Sequence, residues 1–219
     1  MTILKQFLTL LFCCIFLFLN AQNEKSGIFK IYIHIEPELV TEINKKYTDR
    51  KFLSEVSTSA VFPENLLDSI KVISELSLSS KFNSEVECIY KKSKKGKVLS
   101  TIGANGELEG MPVNTLKNAI LTNDKDQYIS ISAYITSGGK KAVLDPKWNS
   151  KVKPMIKVFV KVQDVDKKVI WKKDAVLQDF SDLRSVSRTR GTIVRTKRET
   201  LSPEDIFIMY ELALSEVLK

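Results

Sequence analysis

Between residues 126 and 176 aliphatic side chains recur at every second position in two separate runs. One is Tyr128-Ile129-Ser130-Ile131-Ser132-Ala133-Tyr134-Ile135-Thr136 and the other is Met155-Ile156-Lys157-Val158-Phe159-Val160-Lys161-Val162. A period of two is that of a strand with one apolar face. A third run, Val169-Ile170-Trp171-Lys172-Lys173, follows after only Asp164-Val165-Asp166-Lys167-Lys168, a polar turn that returns it beside the second run as a hairpin partner. The pattern predicts a three-stranded antiparallel meander over residues 126–176.

The same reading places other elements around the meander. Residues 27–36 alternate with isoleucines at 31, 33 and 35 and predict a first strand. Residues 36–46 can open a short helix, and residues 47–62 read as irregular. From Phe62-Pro63-Glu64-Asn65 a helix is predicted whose stripe is Leu66, Leu67, Ile70, Ile73 and Leu76. Residues 84–90 read as a strand, 91–97 as a basic turn and 98–102 as the returning strand. A helix over 113–121 carries Val113, Leu116 and Ile120. Residues 137–154 are too long for a tight turn and predict either a flap or a packed excursion. In residues 174–199 a short edge strand is expected at 191–196. The end is better marked: Ser202 caps a helix, Pro203 stands in its first turn, and Glu204 and Asp205 sit at the positive end of its dipole. Its stripe is Ile206, Met209, Tyr210, Ala213 and Val217, flanked by Phe207 and Leu214. The fold class is α+β: a single domain, a mostly antiparallel sheet with the meander at about 126–176, and two or three covering helices including a C-terminal one.

Hydropathy breaks from this pattern at the start of the chain. An apolar block over residues 7–19 follows Lys5 and ends in Leu19-Asn20-Ala21. It is shorter than the roughly 20 residues of a comfortable membrane span, so residues 1–21 are expected to be a secretory signal cleaved after Ala21, with retention as an anchor the alternative. Residues 22–219 then form the domain, exported to the periplasm, the envelope or the medium, with no membrane span after cleavage. Cys13 follows Phe12 inside the apolar block, which argues against lipidation. Cleavage leaves Cys88 alone, so no intrachain disulfide forms, and its strand context reads as a small buried side chain.

Candidate chemistry is sparse. His34 is the single histidine, which argues against a zinc site, and no nucleophile elbow exists to pair with it. Gly138-Gly139-Lys140-Lys141 lacks the spacing of a phosphate loop. Asp164, Asp166, Asp174 and Asp179 are accounted for by turns and exposed strand positions. No catalytic residue, metal or cofactor is expected. Charge is the unusual signal: the chain is +8, yet residues 184–198 alone contribute +6, residues 91–97 +5 and residues 137–154 +4. Positive charge is thereby expected in the connections. Meander geometry brings the 137–154 connection and the start of the arginine-rich segment to one sheet edge. If residues 98–102 run parallel to the first meander strand, the 91–97 turn falls at the opposite end.

Arg184, Arg188, Arg190, Lys140 and Lys141 are the candidate binding residues for an anionic partner such as a lipid head group, an acidic glycan or an acidic protein surface. Nucleic acid is disfavoured, because aromatics do not interleave with the basic run. The function expected is that of a non-enzymatic exported protein that binds or scaffolds through this basic end. The alternative of another class is a small hydrolase or transferase with a carboxylate site near residues 137–154.

Asp126-Gln127-Tyr128-Ile129-Ser130-Ile131, then Val158-Phe159-Val160-Lys161-Val162-Gln163-Asp164-Val165, then Lys168-Val169-Ile170-Trp171 resembles the sheet of small envelope α/β domains. The parallel is with the periplasmic domain of curli-secretion-type channel proteins and related auxiliary lipoproteins. The resemblance implies an envelope setting and assigns no functional residue.

Overall fold

The computed structural model describes residues 24–36, 39–40, 64–93, 98, 111–112, 114–138, 149–190 and 193–219. In chain order the elements are β1 (Lys25–Ile35), α1 (Glu64–Phe82), β2 (Glu85–Cys88), α2 (Leu116–Thr122), β3 (Gln127–Ser137), β4 (Asn149–Val152), β5 (Pro154–Asp164), β6 (Val169–Leu177), β7 (Leu183–Arg190), β8 (Ile193–Arg198) and α3 (Pro203–Leu218). They form an α+β domain with a five-stranded sheet in the order β2-β1-β3-β5-β6 and a three-stranded sheet in the order β4-β7-β8.

The predicted meander is β3-β5-β6, antiparallel throughout, with Ile131 opposite Val160 and Val162 opposite Trp171. On the other side of β3 the sheet turns parallel: β1 pairs with β3, and β2 with β1. The apolar alternation sends Ile31, Ile33, Ile129, Ile131, Ala133, Ile135, Ile156, Val158, Val160 and Val162 to one face, all buried. Each isoleucine or valine among them contributes roughly 1.5–3 kcal/mol before entropy is subtracted. Helices α1 and α3 cover this face, and Phe82 of α1 meets Trp171 of β6 edge-on at 5.3 Å. The turn between β5 and β6 is closed by the Asp164 side chain, which accepts from the Lys168 amide at 2.8 Å, and Lys167 takes a left-handed φ of 67°.

The helices keep their predicted places with changed detail. In α1 the buried line is Leu66, Leu67, Ile70, Ser74 and Leu78, while Leu76, expected in the stripe, is exposed and Ile73 is only partly covered. A polar residue occupies the centre of that line because it has two partners there. Ser74 Oγ donates to the Ile70 carbonyl at 2.6 Å and lies 2.8 Å from the Tyr210 hydroxyl of α3, so Tyr210 donates to Ser74. Helix α3 starts as predicted, with a reciprocal capping box between Ser202 and Asp205. Helix α2 is shorter than expected and buries Ala119, with Leu116 and Ile120 partly covered, on the opposite side of the sheet with Phe29, Ile89 and Tyr128.

The placement of charge departs from expectation. Residues 184–198 are not a connection: they form the β7-β8 hairpin, because Leu183, Val186, Ile193 and Val194 give the arginine run enough strand character once β4 offers a pairing edge. The expected edge strand is β8, shifted two residues along. Residues 137–154 contain a packed strand, β4. Lys92 bridges Val98 in antiparallel fashion and β2 runs parallel to β3. Of the expected 98–102 strand only Val98 is among the described residues, and the basic turn at 94–97 lies outside them. The expected leader at 1–21, the irregular stretch at 47–62 and most of the 36–46 helix lie outside the described residues. Among the described residues no helix is long and apolar enough to cross a membrane.

Two outcomes test this packing. Burial pushes the Tyr210 phenol well above its ordinary value of 10.0. The folded state therefore favours the neutral phenol, and the stability it contributes is present below pH 10 and declines as pH rises beyond it. Tyr210→Phe should cost about 1 kcal/mol in denaturant melts at pH 7, because Ser74 keeps its bond to Ile70, and should flatten the alkaline loss. Lys167→Gly should raise stability by about 1 kcal/mol, because glycine carries no penalty at this φ.

Candidate functional site

Two surfaces concentrate charge, and neither is a pocket of converging acids. The first is the small sheet. It is rooted on the large one where Gly138 donates to the Lys153 carbonyl at 3.0 Å and where the Glu36 carboxylate accepts from the Ser137 amide and hydroxyl, both at 2.6 Å. Leu183 and Val152 join the main core at this root, and the Leu201 amide donates to the Leu39 carbonyl at 2.8 Å. Arg184 is clamped through its backbone: its amide donates to a Glu199 carboxylate oxygen and its carbonyl accepts from the Glu199 amide, each at 2.9 Å.

The register then sorts the positions. Lys151 pairs with Arg184, Arg188 with Arg195 and Val186 with Lys197. Directly paired positions share a face and alternate positions of a strand return to it. Positions 151, 184, 188, 190, 195 and 197 therefore lie on one face of the β4-β7-β8 ladder. Of the predicted binding residues, Arg184, Arg188 and Arg190 hold positions on that face. Lys140 and Lys141 lie outside the described residues.

The second surface is the face of the large sheet opposite α1 and α3. Reading the register from β1 to β6 gives the row Lys30, Ser130, Lys161, Lys172, then Tyr32, Ser132, Phe159, Asp174, then His34, Tyr134, Lys157, Val176. The aromatic rings interact across strands: Tyr134 lies 5.7 Å from Tyr32, 6.2 Å from His34 and 6.0 Å from Phe159, the last at 88°. Lys157 stands 4.4 Å over the Phe159 ring and 3.4 Å from the Asp174 carboxylate. Lys30 stands 5.3 Å over Tyr32. Residue-by-residue reading missed this surface. Its aromatics belong to three strands from separate parts of the chain, and only parallel pairing of β1 with β3 assembles them.

The acids near the meander are engaged separately. Asp164 closes its turn, Asp174 faces Lys157 and Asp179 lies 3.7 Å from Lys153. No group of three metal-ligating side chains converges among the described residues. Cys88 is half-buried, its amide donates to Glu75 at 2.8 Å, and burial with the nearby Glu75 carboxylate pushes its thiol far up, so the thiolate is disfavoured. Asp164, Asp174 and Asp179 thus each have a separate partner.

Like charges directly opposite in a ladder destabilise it. Lys161 and Lys172 form such a pair on the open face, both exposed and neither in an ion pair among the described residues. Lys172→Glu should therefore raise thermal stability by about 0.2–1 kcal/mol at low salt, an advantage that shrinks as salt is added.

No protein-family model and no curated protein matches the sequence. Among solved structures the chain is similar to a PelC dodecamer from Paraburkholderia phytofirmans at 11% identity and a TM-score of 0.39, covering 90% of this chain and 88% of that one. A single-residue variant of that PelC dodecamer matches at 12% and 0.36 over 90% and 88%. A Xanthomonas campestris protein of the DUF330 family matches at 7% and 0.26 over 89% and 78%.

Proposed function

We propose that the protein is an exported, non-enzymatic binding protein that engages an anionic surface through the basic face of the β4-β7-β8 ladder. The observation that carries this reading is the pairing of like charges in register, Lys151 with Arg184 and Arg188 with Arg195, on one face of a short sheet. Such pairs cost stability in isolation, and a bound polyanion removes the cost by neutralising both partners. Four of the six basic positions on the face are arginine, whose planar fork holds phosphate or carboxylate oxygens at two points. The apolar block over residues 7–19 supports export and with it an envelope or extracellular partner. Anionic lipid is the partner chemistry to test first, because a flat ladder face of spaced cations suits a flat surface of spaced phosphates.

Cosedimentation with phosphatidylglycerol-containing vesicles checks this. The protein lacking residues 1–21 should bind at low salt and release as salt rises, and should ignore purely zwitterionic vesicles. Basic residues near such a surface contribute about 1 kcal/mol each, so Arg184→Gln/Arg188→Gln/Arg190→Gln should weaken binding by roughly 100-fold. A folded triple variant that binds as the parent does refutes the reading.

A further inference from the structure

The open face of the large sheet holds a cleft of about 700 Å³ whose lining includes Lys30, Ser130, Ser132, Phe159, Lys161 and Lys172. That volume is in the range of sites for small ligands rather than of a macromolecular interface. We infer that this cleft is a binding site for a short acidic oligosaccharide, separate from the basic ladder and independent of the function proposed for it.

The argument begins with charge. Lys30, Lys161 and Lys172 stand in one row across the sheet, and none forms an ion pair among the described residues. The carboxylate that lines the same cleft, Asp174, faces Lys157 of the next row. Three cations without an acid of their own call for a negative ligand. Their spacing says what shape: from β1 to β6 the row crosses three strand intervals, about 14 Å. A compact anion such as free phosphate reaches one or two of these positions, whereas an extended ligand with several carboxylates reaches all three.

Between the cations the surface offers what sugar rings use. Ser130 and Ser132 are half-buried, and their hydroxyls bond no neighbour among the described residues. They present donors and acceptors to ligand hydroxyls. Phe159 is 37% exposed and forms part of the cleft wall, with an apolar face for the C–H side of a ring. Single-stranded nucleic acid also combines rings and charge, but it binds by successive stacking on free aromatic faces. Here Tyr134 stands at 88° to Phe159, and Lys157 already covers one face of Phe159. One apolar ring face flanked by spaced ammonium groups suits a carboxylated sugar chain better than a run of bases.

Titration calorimetry with tetragalacturonate at low ionic strength, against maltotetraose, oligothymidylate and inorganic phosphate, tests the inference. Tetragalacturonate should bind, more weakly as salt rises, and more tightly than the other three probes. Lys161→Gln/Lys172→Gln, both at exposed positions, should melt no lower than the parent and lose at least about tenfold in affinity, and Phe159→Ala should weaken binding further. Arg184→Gln/Arg188→Gln/Arg190→Gln should leave it unchanged, which separates this cleft from the ladder. Absence of tetragalacturonate binding, equal or tighter binding of any other probe, or full affinity in the folded double lysine variant overturns the inference.

Discussion

Everything in this fold leans on the alternation of β3. Its even and odd positions are committed to opposite media: Ile129, Ile131, Ala133 and Ile135 are fully buried beneath the helices, while Ser130, Ser132 and Tyr134 face the other way. Because a slip of one residue would exchange the two sets, the hydrophobic pattern holds the register of both neighbours. On one side β5 joins by antiparallel pairing, and on the other β1 joins in parallel. The rows of lysines, serines and aromatics on the open face are consequences of that register.

Two polar devices complete the frame. Ser74 and Tyr210 join α1 to α3 in the middle of an otherwise apolar layer, and their satisfied hydrogen bonds give the helix pair a preferred alignment that hydrophobic burial leaves loose. Glu36 and Glu199 act at the other end, one accepting from Ser137 and one clamping the Arg184 backbone. These carboxylates face the strand roots of the basic ladder, so negative charge is spent on anchoring it. The small sheet is thus attached through backbone hydrogen bonds and a few core side chains, with six basic positions on one face and Arg198 on the other.

Electrostatics and packing therefore occupy different sides of the molecule. Burial holds Tyr210 and Cys88 in their neutral forms within or beside the helix-covered layer. Lys30, Lys161 and Lys172 stand on the open sheet face, away from that layer, and six basic positions share one face of the ladder. The buried sheet face is left with no charge to neutralise, and Lys30, Lys161 and Lys172 on the open face form no ion pair among the described residues.

Local period and capping were enough, in the sequence itself, to determine the meander, the first strand, the C-terminal helix with its Ser202 cap, and the α+β class. These depend on neighbours two to four residues apart. The face of α1 that carries Ser74 was not legible, since a serine is buried there only because Tyr210, 136 residues away, donates to it. Apart from the edge strand expected at 191–196, the arginine run read as a connection because its charges hide its strand propensity, and β4 as a pairing edge exists only in three dimensions. The gathering of Arg184, Arg188 and Arg190 at one end of the sheet could be sensed from chain order, but their strand register could not. The open-face cleft was wholly a product of tertiary structure: Lys30, Ser130, Lys161 and Lys172 become one row only when four strands from distant parts of the chain lie side by side.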